Sequence, residues 1–147
     1  MLPTLLFSQW EYRASMEGRP NETRYATGKI LSTTEYDFEF LVWNNKILGF
    51  EFIINSDYFK KGKEYKISLL IDSSGALTLD KFELQDGIIT MISFTNENGG
   101  KLDIYDVLYK IRNSVGCVVT IVTDNEKLEM FSYPTDSADA IDFVQGS

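Results

Sequence analysis

The chain has 147 residues, 44% hydrophobic and 14% aromatic, with 14 basic against 22 acidic side chains and a formal charge of −8. That is the length of one domain with enough apolar surface for a sizeable core, and the charge disfavours phosphate backbones and anionic lipid surfaces as partners. There is no histidine and only one cysteine, Cys117, which excludes a Ser-His-Asp triad, a Cys-His pair, a His-built zinc site and an intramolecular disulfide.

In chain order, Met1 to Gln9 is apolar but short, lacks a basic start and contains Pro3. Residues 1–8 read as a processed or flexible segment, or the stretch reads as a first edge strand, which proline tolerates. No run approaches the roughly 20 apolar residues that a membrane-spanning helix needs. Trp10, Tyr12 and Ala14 alternate with Glu11 and Arg13, the period of a half-buried strand. The breakers Gly18, Pro20 and Asn21 make Met16 to Glu22 a loop, and the acceptor sequence Asn21-Glu22-Thr23 marks it as exposed. A second strand is expected over Thr23 to Ser32, with Gly28 as a bulge.

The strongest hairpin pairs Tyr36 to Val42 with Ile47 to Ile54. Parity favours a three-residue loop, Asn44 to Lys46, which sets Phe40 opposite Phe50 and Phe38 opposite Phe52. This register puts Glu39 opposite Glu51 on the other face, leaving the aromatic face as core and the acidic face in water. Trp43 then stands at the hairpin tip. Further strands are expected over Glu64 to Asp72, Ala76 to Gln85 and Ile88 to Phe94, with Asp86-Gly87 as a hairpin turn.

At Leu102 the period becomes helical through Tyr105, Leu108, Tyr109 and Ile111. Asp103 with Asp106 resembles a capping box, so a helix is expected over 103–113. Two strands follow, Cys117 to Thr123 and Lys127 to Tyr133, and Pro134 ends the ladder. Ser137 is placed to cap a short helix over 137–145. Eight or nine strands with two helices describe a mainly β single domain over 1–147, an antiparallel β-sandwich or barrel.

Carboxylates and aromatics are the chemistry that remains. Glu35, Asp37 and Glu39 alternate along one strand face, with Glu51 placed opposite; such a face serves chiefly to stay in water. Asp72 to Gly75 and Thr123 to Glu126 are rich in oxygen, but turn chemistry explains both without a metal. Cys117 lies in the apolar run Cys117 to Val122, where a thiol is a small buried hydrophobe. Gly99-Gly100 lacks the lysine of a phosphate loop, and Asp103 and Asp106 hold the helix start where an anion would sit. No cofactor motif is present. Trp43, Tyr58 and Phe59 are the candidate contacts for a partner or ligand, because loop-borne aromatics anchor binding.

The order of features resembles one family. A Trp-centred strand, Gln9-Trp10-Glu11-Tyr12, precedes a run of strands; the helix Asp106 to Arg112 and the strand Val118 to Val122 follow; a strand then leads into a small-residue helix, Phe131 to Ile141. This resembles the exported bacterial invasion-associated locus B family of small β-sandwich proteins. The resemblance implies an envelope location and partner binding, and supplies no catalytic residues. The expectation is a non-enzymatic binding protein that contacts a protein or small ligand and can self-associate. It would be periplasmic or secreted if an upstream signal peptide is removed, and cytoplasmic otherwise. The alternatives are a phage or envelope assembly subunit and a carboxylate hydrolase using Glu39 and Glu51.

Overall fold

The computed structural model describes residues 10–14, 24–45, 49–72 and 74–146. Among the described residues, ten strands form one antiparallel sheet: β1 (Glu11–Ala14), β2 (Arg24–Ile30), β3 (Phe38–Asn45), β4 (Gly49–Asn55), β5 (Lys66–Ile71), β6 (Ala76–Gln85), β7 (Ile88–Thr95), β8 (Lys101–Asp103), β9 (Cys117–Val122) and β10 (Lys127–Ser132). Helix α1 (Ile104–Arg112) follows β8, and α2 (Ser137–Gln145) follows β10. The spatial order is β1-β2-β3-β4-β7-β6-β5-β9-β10, with β8 beside β7. The sheet curls into a half-barrel, the barrel form of the expected fold rather than two packed sheets. Its two sides meet where Leu31 and Phe131 exchange a pair of backbone hydrogen bonds, 2.7 and 3.2 Å long.

Alternation along each strand explains the curl. The inward set includes Ala26 and Ile30 on β2, Phe38, Phe40 and Val42 on β3, and Phe52 and Ile54 on β4. It continues through Ile67, Leu69 and Ile71 on β5, Ile89 and Met91 on β7, and Val119 and Ile121 on β9. All belong to one hydrophobic core, and burying one face of a sheet against itself requires strong curvature. Strand β6 bends at register shifts between Leu79 and Phe82, which brings Phe82 and Leu84 back to the inner face.

The helices join the core at one end of the curl. Val107, Leu108 and Ile111 of α1 and Ala140, Ile141 and Val144 of α2 are buried in it. The capping box forms as expected: Asp106 N–H donates to the Asp103 carboxylate at 2.9 Å, and Asp103 N–H donates to Asp106 at 3.2 Å. Helix α2 spans the expected residues but is capped differently. Asp136 is its N-cap, and its carboxylate accepts from the Trp10 backbone N–H (2.9 Å) rather than from the helix. Ser137 is a buried first-turn residue whose hydroxyl accepts from Trp10 Nε1–H at 3.1 Å. At the other end of α2, Arg24 donates to the Phe143 carbonyl and Asn44 to that of Val144, both at 3.1 Å. These bonds satisfy helix-terminal acceptors, and the Arg24 cation suits the negative end of the helix. Arg112 grips Asp142 with two bonds of 2.6 and 2.8 Å, tying α1 to α2.

Three expectations are corrected. Gly28 is not a bulge, because pairing runs unbroken through it to Phe40; it is small because the Trp10 ring lies over it, 3.0 Å from where a Cβ would stand. The hairpin register is shifted. Phe40 faces Ile54, Val42 faces Phe52 and Asn45 faces Gly49, so the three intervening residues are 46–48 rather than 44–46. Gly49 opens β4 with φ of 84°, a left-handed conformation that glycine adopts readily, whereas Asn44 and Asn45 extend β3. The shift is even, so the aromatic face stays inside. The polar turn at 96–100 is also the tip of a hairpin, since β8 pairs with β7. The loop 16–22, the acceptor Asn21 and residues 1–8 lie outside the described residues.

Candidate functional site

Strand direction gives the half-barrel two distinct ends. Strands β2, β4, β6 and β9 run away from the helices, so the turns after them gather at the opposite end. There the segment after β2, the segment after β4 and the β9–β10 turn surround a cleft of about 860 Å³. Its walls carry Tyr36, Tyr58, Lys60, Lys63, Glu64 and Glu126, among others.

Aromatic rings close the barrel beneath this cleft. Phe59 is fully buried and meets Phe38 edge-on, with centroids 5.9 Å apart, and Tyr65 edge-on at 5.2 Å. Tyr58 meets Tyr36 edge-on at 5.3 Å. Such perpendicular contacts suit the ring quadrupoles and fix each ring. Tyr65 is mostly buried; its hydroxyl donates to the Tyr58 carbonyl at 3.2 Å and accepts from Lys60 N–H at 2.9 Å, folding the loop over the floor. The Gly87 carbonyl accepts from Ser56 N–H at 3.0 Å, and Gly87 N–H donates to Phe59 O at 2.9 Å, so the β6–β7 turn braces the same loop.

Tyr58 stands half-buried in the cleft wall, and its hydroxyl donates to Glu126 at 2.9 Å. Burial first, and the bond to Glu126 second, push its phenol up from 10.0 to about 12. Cys117, buried under the opposite end, is pushed up from 9.0 to about 12, again mainly by burial. Both groups hold their protons longer folded than unfolded. Their contribution to stability is complete below the unfolded values and is lost as pH rises toward 12. The urea midpoint is therefore expected to fall between pH 9 and 12, and the Tyr58→Phe, Cys117→Ala double variant should show a flatter decline. An equally steep decline in that variant would assign the alkaline sensitivity to other groups.

The three sequence-derived contact residues separate. Tyr58 lines the cleft, and Phe59 is the floor beneath it rather than a contact surface. Trp43 is neither at the hairpin tip nor near the cleft. It lies within β3 on the outer face, opposite Tyr25 and Glu51, and its Nε1–H donates to Glu51 at 2.6 Å. Glu39 is opposite Asn55, whose side chain donates to it at 3.3 Å, and not opposite Glu51. Four residues of strand, about 13 Å of rise, separate the Glu39 and Glu51 positions. A glycosidase pair works across about 5–9.5 Å.

Glu39 instead lines a shallower groove of about 600 Å³ on the outer face with Glu11, Lys29, Asp37 and Asn55. Backbone donors engage oxygens in both oxygen-rich loops. Asp72 accepts from Val115 N–H at 3.0 Å, and Thr123 Oγ1 accepts from Glu126 N–H at 3.2 Å. Among the described residues, no group of three or more acidic or cysteine side chains is placed to hold a metal. No helix among them is long and apolar enough to cross a membrane.

Sequence reasoning did not unite Lys60 to Lys63 with Thr123 to Glu126. Both are polar turns more than fifty residues apart in the chain, and only the pairing of β5 with β9 brings them together. Compared with known proteins, the chain matches no family model, no curated protein and no solved structure.

Proposed function

We propose that this protein binds a ligand rather than transforming one, and that contact is made at the aromatic end of the half-barrel. The observation that carries this reading is the cleft of about 860 Å³ with Tyr58 in its wall and Phe59 turned under it. Barrel mouths and clefts of about 300–1,000 Å³ are the usual places for small ligands. Loops braced on a rigid sheet hold their contact groups in place before binding, which lowers the ordering cost. The resemblance to the invasion-associated locus B family supports the same kind of role, partner binding at a cell envelope.

Titration of the labelled protein with phenol and isopropanol as site-mapping probes tests this. Amide shifts should cluster at Tyr36, Tyr58, Lys63 and Glu126. Shifts clustering on the exposed Tyr105 and Tyr109 of α1, with none at the cleft, would move the site elsewhere.

A further inference from the structure

We infer that the cleft takes an uncharged, polyhydroxylated ligand, a short oligosaccharide; the inference rests on the binding role proposed above. The walls mix four carboxylates, Glu35, Glu64, Asp124 and Glu126, with two ammonium groups, Lys60 and Lys63. A polyanion entering here meets four like charges in a chain that already carries −8. A polycation is drawn by the carboxylates but also meets both lysines, so only part of its charge finds a partner. Like-charge contacts are one way a site discriminates against a ligand.

A neutral polyol avoids both repulsions. A carboxylate only accepts hydrogen bonds and an ammonium only donates, whereas a hydroxyl does both. Neighbouring hydroxyls on one sugar ring can therefore donate to a carboxylate and accept from a lysine at the same time.

The aromatic component suits the other half of a sugar's surface. A pyranose carries C–H groups as well as hydroxyls and needs a partly apolar wall. Tyr36 and Tyr58 supply one, held at 73° to each other in an edge-on pair. Tyr58 is pinned further by Glu126, so the wall exists before a ligand arrives.

The test uses the full chain, labelled for amide-shift mapping, with cellohexaose, chitohexaose and xylohexaose as probes. Spermidine and tripolyphosphate serve as the charged comparisons. At least one oligosaccharide should give saturable shifts at Thr34 to Tyr36 and Lys60 to Lys63. Lys63→Ala and Glu126→Gln should each weaken it about tenfold, the loss of one hydrogen bond to a charged group, with unchanged melting. Affinity should hold steady as salt rises from about 50 to about 500 mM, because no ligand charge is screened. Cleft shifts with spermidine or tripolyphosphate but not with the sugars would overturn the inference, as would the absence of cleft shifts with all three sugars. Phenol and isopropanol still clustering at the cleft would confine that failure to the ligand class; their absence as well would remove the site.

Discussion

Replacing Trp10 with alanine is expected to destabilise the protein by about 3–5 kcal/mol, the usual cost of truncating a large buried aromatic. The residue is 4% exposed, stacks near Phe40 with centroids 6.3 Å apart, and lies on Gly28. Its two N–H groups also hold the first turn of α2 through Asp136 and Ser137. Truncation would leave a cavity and remove the ring N–H bond to Ser137, while the backbone bond to Asp136 can persist. The reciprocal change, Gly28→Ala, puts a methyl group 3.0 Å from three atoms of the ring and is expected to cost about 1–3 kcal/mol as overpacking. The double variant should lose less than the sum, since the added methyl occupies space the ring has vacated. Urea unfolding of the three variants measures this. Strict additivity would mean that ring and glycine do not share the space.

Phe59→Ala is expected to cost a similar 3–5 kcal/mol, by the same argument of a large ring lost from a packed interior. Tyr58→Phe keeps the ring and removes only the hydroxyl bonded to Glu126, so it should cost about 1 kcal/mol. The two adjacent positions thus divide the labour of the aromatic end, one closing the barrel and the other facing the cleft. Ligand-binding loss in Tyr58→Ala at a smaller stability cost than that of Phe59→Ala is the expected pattern, because the half-buried Tyr58 ring still packs on Tyr36, Phe38, Phe59 and Tyr65. A Phe59→Ala variant as stable as the parent would return Phe59 to the surface.

Where local chemistry decides an element, the sequence shows it. The Asp103 and Asp106 pair located the start of α1, and small residues after Pro134 located α2 over the residues it occupies. The even period of the β3–β4 hairpin identified its core face correctly. Its register went astray because Asn44 and Asn45 favour turns in isolation, while the residue in the left-handed conformation is Gly49. Strand β8 is three residues long and exists only because β7 lies beside it. The candidate site was legible in part for the same reason. Tyr58 and Phe59 have equivalent sequence surroundings, and outside a regular strand no period says which of two neighbours turns inward. The closure at Leu31 and Phe131, and the meeting of the lysine-rich loop with the β9–β10 turn, depend on distant segments that no local pattern links.

The bonds between Trp10 and the start of α2 join positions 126 and 127 apart in the chain. During synthesis, the ribosome must add all of the intervening residues before this clasp can form. Until then Trp10 has no helix to cover it, and the Leu31 side of the sheet has no β10 to meet. Loop closure over such a span is slow because its entropy is lost before any contact is gained. Between the synthesis of Trp10 and that of Ser137 the emerging chain therefore presents an open, sticky sheet, and chaperone demand should be concentrated in that interval.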